Sequence, residues 1–237
     1  MKKLNLLFTK DRLQGQILNN KTVQQEYDFS LSEEVSEDFL SEKLDFLLQQ
    51  NVAEITVLSA LNHFTLMPAG FTKHDLGYDL VAYNSPVNRE TEELMLSVNQ
   101  KFGVQFYYTF PLDWYKMIKD KKILTKFNFS GEKFLNSLTA KQDKEIHINL
   151  YHNQCEFFAL DRKKVVLYNN LDVNSEVDFL YFVMFTLSKI GFGTQETHFY
   201  VYGETTENDT FISELGKFVN HLKIVFDNLP KKNFILN

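Results

Sequence analysis

Short apolar runs separated by polar turns fill the start of the chain. Leu4 to Phe8 is followed by Lys10-Asp11-Arg12, then Leu13 to Leu18, then Asn19-Asn20-Lys21. Val23 to Leu31 alternates apolar and polar residues. Runs of this length between turn residues predict a meander of three strands. Ser32 then offers an N-cap, with Glu33 and Glu34 in the first turn, where the helix dipole favours acids. Val35, Phe39, Leu40, Leu44, Leu47 and Leu48 recur at helical spacing, Asn51 closes the helix, and Ile55 to Leu58 predicts a strand.

The same pattern returns about 142 residues later. Ile146 to Leu150, Cys155 to Leu160 and Val165 to Val173 are strand-like, separated by His152-Asn153-Gln154 and Asp161-Arg162-Lys163. Asn174 or Ser175 is the N-cap of a helix with Val177, Tyr181, Phe182, Phe185 and Ile190 at helical spacing, and Gly191 suits its C-terminal cap. Phe199 to Tyr202 is the next strand. Val23 falls on Val165, Glu34 on Glu176, Phe39 on Tyr181 and Leu48 on Ile190; a loop longer by two residues then places Ile55 on Phe199. Equal order, turns and caps indicate duplication of a βββαβ unit. The helix from Phe179 to Ile190 is expected to be the more deeply buried of the two repeat helices, because Val35 to Leu48 carries Glu37, Glu42, Lys43 and Asp45.

Between the copies the text differs. His63 to Met67 is strand-like and stopped by Pro68; Thr72 to Tyr83 is a short helix. Alternation on either side of Asn99 to Gly103 predicts a hairpin, and Pro111 opens a helix with Trp114, Tyr115 and Ile118. Leu124 to Phe129 is a strand and Gly131 to Leu138 a short helix. After the second copy, Thr210 to Phe226 has Phe211, Leu215, Phe218, Val219, Leu222 and Phe226 on one helical face, with Asn208 or Asp209 as cap. Phe234 to Leu236 is a candidate last strand.

Composition adds exclusions. The net charge of -6, from 31 acidic and 25 basic residues, gives no global pull toward nucleic acid or anionic lipid. One cysteine, Cys155, makes no internal disulfide and no cysteine zinc site. The longest apolar stretch, Phe179 to Leu187, is far short of the roughly 20 residues of a membrane span. A cytoplasmic protein is the expectation. With 23 Phe and 11 Tyr against 9 Gly, the chain favours filled strands and leaves few residues for a glycine-rich phosphate loop.

A duplicated meander, helix and parallel strand resembles the actin-like ATPase fold, built from two ribonuclease-H-like halves. Phe179-Leu180-Tyr181-Phe182, Lys189-Ile190-Gly191-Phe192 and His198-Phe199-Tyr200-Val201-Tyr202-Gly203-Glu204 resemble a bacterial family of unknown function with this fold, as do Thr65-Leu66-Met67-Pro68 and Tyr83-Asn84. That family is distantly similar to the actin-like proteins of type IV pilus assembly. The resemblance implies an α/β chain with a first half over 1–140, carrying an inserted α+β subdomain at about 63–103, and a second half over 141–237. It implies a fold and no reaction.

The chemistries such a fold hosts can be checked in the residues. Actin-like ATPases cradle phosphates with one strand-to-strand turn in each half, where backbone N–H groups approach closely and a carboxylate holds the metal. Here the first turn has Thr9, Lys10, Asp11 and Arg12 without glycine; the second has His152, Asn153 and Gln154 without acid or glycine; the purine side has Gly203 alone, followed by Glu204. Lys10, Asp11, Arg12, Asn153, Gly203 and Glu204 are therefore the cleft candidates, with the expectation of no bound nucleotide or other cofactor. Two-metal nuclease chemistry needs a carboxylate inside the first strand, and neither Leu4 to Phe8 nor Ile146 to Tyr151 has one. The six histidines follow no metal spacing, and Cys155 in an aromatic strand reads as a small buried hydrophobe, so no catalytic or metal residue is assigned. Alternation in Phe106 to Phe110 leaves Tyr107 and Thr109 on one face. That face is either covered, or, with Trp114 and Tyr115, part of a surface for a partner. The leading reading is a non-catalytic scaffold or adaptor that binds another protein, with a homodimer left open. The alternative is a degenerate switch that retains ATP between its halves.

Overall fold

The computed structural model describes residues 1–31, 38–151, 154–203, 210–225 and 236. In chain order it forms β1 (Lys2–Phe8), β2 (Arg12–Asn19), β3 (Thr22–Ser30), α1 (Asp38–Leu48), β4 (Glu54–Ser59), β5 (Phe64–Pro68), a 3-10 turn at His74–Leu76, α2 (Gly77–Ala82), β6 (Glu92–Asn99), β7 (Val104–Pro111), α3 (Leu112–Asp120), β8 (Leu124–Phe129) and α4 (Ser130–Ser137). Then follow β9 (Lys144–Tyr151), β10 (Gln154–Asp161), β11 (Lys164–Asp172), α5 (Glu176–Ile190), β12 (His198–Gly203), α6 (Thr210–Gly216) and β13 (His221–Ile224). The chain divides into two compact units between Lys133 and Phe134, inside α4; Leu236 belongs with the first.

The first unit holds a five-stranded sheet in the order β3-β2-β1-β4-β8, and the second a sheet in the order β11-β10-β9-β12-β13. In each, two antiparallel pairings are followed by two parallel ones. The duplication extends to local geometry. Asn20-Lys21 and Arg162-Lys163 both turn with positive φ, at 49° and 71° and at 47° and 71°. Two successive positive φ values match the twist of a tight hairpin. Each hairpin also carries a register shift two strand residues before that turn, at Ile17/Leu18 and at Ala159/Leu160. The parallel register repeats too: Lys3 faces Glu54, and Glu145 faces His198.

One face of the first sheet buries Leu4, Leu6, Phe8, Ile55 and Val57 against Leu40, Leu44, Leu47 and Leu48 of α1. The matching face of the second buries Ile146, Ile148, Phe157, Phe199 and Val201 against Phe179, Val183 and Leu187 of α5 and Ile212 and Leu215 of α6. The inserted subdomain is a three-stranded sheet, β5-β7-β6, with α2 packed on it. Phe129 gathers the rings of Phe64, Phe106 and Tyr108 around it, each about 5.2 Å away.

Two expectations need correction. The helix expected over 210–226 stops at Gly216, and His221–Ile224 pairs in parallel with β12. The apolar spacing there fits both periods, and the open edge of β12 decides between them by supplying backbone partners, among them Val201 O accepting from Val225 N–H at 2.7 Å. The repeat is therefore one helix and one strand longer than βββαβ. Of the last segment, Phe234 and Ile235 lie outside the described residues, and Leu236 sits in a 3-10 turn. Second, α5 is not the more deeply buried helix. Its core face is Phe179, Val183, Thr186 and Leu187, and it leaves Val177, Tyr181 and Phe185 in solvent. Phe179 and Val183 are one turn apart on the sheet side, which turns the neighbouring apolar stripe outward. Among the described residues no helix is long and apolar enough to cross a membrane.

Candidate functional site

The first strand-to-strand turn, Thr9 to Asp11, is closed by its own groups. Thr9 N–H donates to Arg12 O at 3.0 Å, Thr9 Oγ1 donates to Asp11 Oδ1 at 3.2 Å, and Asp11 O accepts from Leu31 N–H at 2.7 Å. Arg12 points along the sheet to Asp28, at 3.3 Å. The backbone groups that a phosphate would need are thus partly spent inside the turn, and no glycine lets a ligand close to the chain.

Beside this turn the first unit opens into a groove of about 670 Å3. Leu31, Leu40, Pro111 and Trp114 supply apolar walls; among the described residues Asp38, Glu92 and Asp113 supply carboxylates and Lys10 an ammonium. The helix α3 begins after Pro111, whose ring suits a helix start and whose position aims Trp114 back at β1. The indole lies 5.0 Å from the Phe8 ring and donates from Nε1 to Ser41 Oγ at 2.9 Å. Glu92 is held at 2.8 Å by His63 Nδ1. An acidic rim repels phosphate and favours cationic or neutral groups.

The remaining sequence candidates separate. Tyr107 is 1% exposed and cannot serve as a surface anchor. Its hydroxyl sits among Gln105, Phe71 O and His74 Nδ1, and its ring meets Phe71, so the face it shares with Thr109 is covered. Burial raises its pKa above the usual tyrosine value. Tyr115 is half-buried, its ring 5.3 Å from that of Phe127. Gly203 has φ +92°, and a Cβ there would lie 2.0 Å from Leu150 O and 2.6 Å from Asn149 Oδ1. Close approach of β12 to β9 is reason enough for glycine. Asn153 and Glu204 lie outside the described residues. Lys10 and Trp114 are the two candidates that the fold brings together.

The second sheet carries a feature the sequence reading missed. β9 begins at Lys144, so the strand does contain a carboxylate, Glu145. Glu145, His147 and Asn149 alternate with Ile146, Ile148 and Leu150, and this polar face is buried as well. Glu145 Oε1 accepts from the backbone N–H groups of Lys141 and Gln142, each at 2.8 Å, and its Oε2 meets His147 Nε2 at 3.1 Å. His147 Nδ1 lies 3.1 Å from Tyr202 Oη, and the ring stacks on Tyr200 at 4.9 Å. Burial alone would raise the Glu145 pKa, but His147 and the two N–H groups outweigh it and hold it below the usual carboxylate range. Burial pushes Tyr202 up. Glu156 accepts from Tyr168 Oη at 3.0 Å and from Asn149 Nδ2 at 2.9 Å. These acids are engaged by donors, and among the described residues no group of three metal-ligating side chains occurs. Cys155 is buried, and burial pushes its thiol pKa up.

The paired sheets and the inserted subdomain define an actin-like ATPase fold of two ribonuclease-H-like halves, with a first turn built without glycine. Residues 1–222 match the family described as "Protein of unknown function (DUF3822)", and the chain belongs to that family. It is similar to a Bacteroides thetaiotaomicron protein with actin-like ATPase fold and unknown function, at 16% identity and a TM-score of 0.83, over 99% of this chain and 93% of that one. It is also similar to a chain of the PilM-PilN type IV pilus biogenesis complex, at 10% identity and a TM-score of 0.54, over 95% and 88%. No curated protein sequence matches the chain.

Proposed function

We propose that this protein is a non-catalytic actin-like scaffold that holds a segment of another protein in the groove beside the first turn. The observation that carries the reading is the groove itself: among the described residues, an indole and three apolar side chains with three carboxylates and one ammonium, next to a turn whose backbone groups are partly spent. Trp114 supplies apolar contact area with one polar edge, the kind of side chain that anchors protein interfaces. The similarity to a chain of the PilM-PilN complex is in keeping with a binding role for this fold.

Trp114 is the only tryptophan, so its emission reports on the groove directly. Magnesium-ATP in millimolar amounts is expected to leave both the emission and the melting temperature unchanged; a bound ligand at 100 times its Kd would add about 2.7 kcal/mol of stability. Proteins captured from a native extract by the wild type are expected to be lost with Asp38→Lys and Asp113→Lys, both exposed positions in the groove lining whose replacement leaves the indole packing in place. ATP turnover that disappears in Asp11→Ala, or capture indifferent to both groove variants, overturns the reading.

A further inference from the structure

The outward face of α5 is an apolar stripe: Val177 is 74% exposed, Tyr181 68% and Phe185 47%. Tyr181 and Phe185 stack on each other one turn apart, with ring centroids at 5.7 Å and an interplanar angle of 18°, and Lys189 Nζ lies 5.2 Å over the Phe185 ring. The two rings form a preassembled ledge rather than two independent side chains. Ser188 continues the exposed line at its C-terminal end.

The charges beside the stripe have a symmetry of their own. Asp178 and Lys189 are both exposed and eleven residues apart. At about 100° per residue that separation is close to three full turns, so they occupy one flank of the stripe within about 20° of each other. Their midpoint along the helix nearly coincides with the midpoint between Tyr181 and Phe185. A two-fold axis through that point reverses the helix direction and keeps each flank on its own side. Tyr181 then meets Phe185 of the second copy, Val177 meets its Ser188, and Asp178 meets its Lys189 within about one residue rise, 1.5 Å, along the axis. Every contact occurs twice, as an isologous interface requires.

We propose that α5 is a self-association surface whose occupant is a second copy of this chain, packed antiparallel on the Val177–Tyr181–Phe185 stripe. The charges flanking the stripe are complementary to their own reverse, which a surface for an unrelated acidic or basic partner need not show. One helix pair buries less than the roughly 1,200–2,000 Å2 of a stable complex. Association is therefore weak and follows protein concentration. The surface lies in the second unit.

The test is sedimentation equilibrium of the full chain over about a hundredfold range of concentration, which spans about 2.7 kcal/mol of association free energy. The wild type is expected to move from monomer to dimer. Tyr181→Glu, Asp178→Lys and Lys189→Glu are each expected to weaken the dimer at least tenfold, with unchanged circular dichroism because all three residues are exposed. Mixing Asp178→Lys with Lys189→Glu is expected to restore association as a heterodimer, since each new charge then faces its opposite. A chain that stays monomeric throughout, a dimer indifferent to these variants, or a mixture that associates no better than the single variants overturns the proposal.

Discussion

Gly203→Ala is a sharp test of how the second sheet is closed. Gly203 is the last residue of β12 and pairs with Leu150 of β9. Its φ of +92° is costly for any residue with a Cβ, by about 1–2 kcal/mol. The second cost is steric. The new Cβ would sit 2.0 Å from Leu150 O, 2.6 Å from Asn149 Oδ1 and 2.9 Å from Leu150 C, so β9 and β12 must part by more than an ångström there. Parting them strands a carbonyl of a strand that is otherwise buried, at about 1–3 kcal/mol. The sum is about 2–5 kcal/mol. Gly70 supplies the control: its φ is +86°, and nothing lies within 4 Å of its virtual Cβ. Gly70→Ala therefore carries the backbone cost alone, about 1–2 kcal/mol. Denaturant unfolding followed by far-ultraviolet circular dichroism compares the two midpoints at constant slope. If the two variants destabilise equally, the strand end yields freely and the steric reasoning is wrong.

Acid should destabilise the chain through carboxylates held below the usual value of 4.5, Glu145 by His147 and backbone N–H groups and Glu54 by Lys3 and Lys126. Because their folded pKa values are depressed, their contribution is complete above about 4.5 and lost as pH falls through the folded value; Glu145→Gln should flatten this acid limb and cost about 2 kcal/mol at neutral pH, measured by unfolding at a series of pH values. Ser175 caps α5 by accepting from Asp178 N–H at 3.2 Å, and Ser175→Ala should cost about 1 kcal/mol in a denaturant titration. Cys155 should resist a thiol reagent in the native protein and react fully once unfolded, because it is buried and its thiol pKa is raised.

The repeat was legible because hairpin turns and caps are local chemistry. Asn20-Lys21 and Arg162-Lys163 stand at equivalent places between alternating runs, and α5 is bracketed by the Ser175 hydroxyl and by Gly191, which lacks a Cβ and takes the left-handed conformation. The tail was not legible, because helix and strand periods coincide over Phe211 to Leu222 and only the free edge of β12 separates them. The site was half legible. Lys10 and Trp114 drew notice as charge and aromatic, yet they are about a hundred residues apart in sequence, and their shared groove exists only after the inserted hairpin delivers α3 beside β1. Tyr107 is the converse case: alternation assigned it a face without saying whether that face is covered, and the packing of Phe71 and His74 covers it.

Outside the tail, sequence by itself determined which segments form strands, where the hairpins turn, and that the unit occurs twice, because backbone propensity, turn chemistry and side-chain period act over a few residues. Which face of each element meets the core was decided by tertiary structure. Glu145, His147 and Asn149 alternate like a solvated face and are buried, while Val177, Tyr181 and Phe185 recur like a core face and lie in solvent. Period reports that an element has two sides; only the element packed against it fixes which side loses its water.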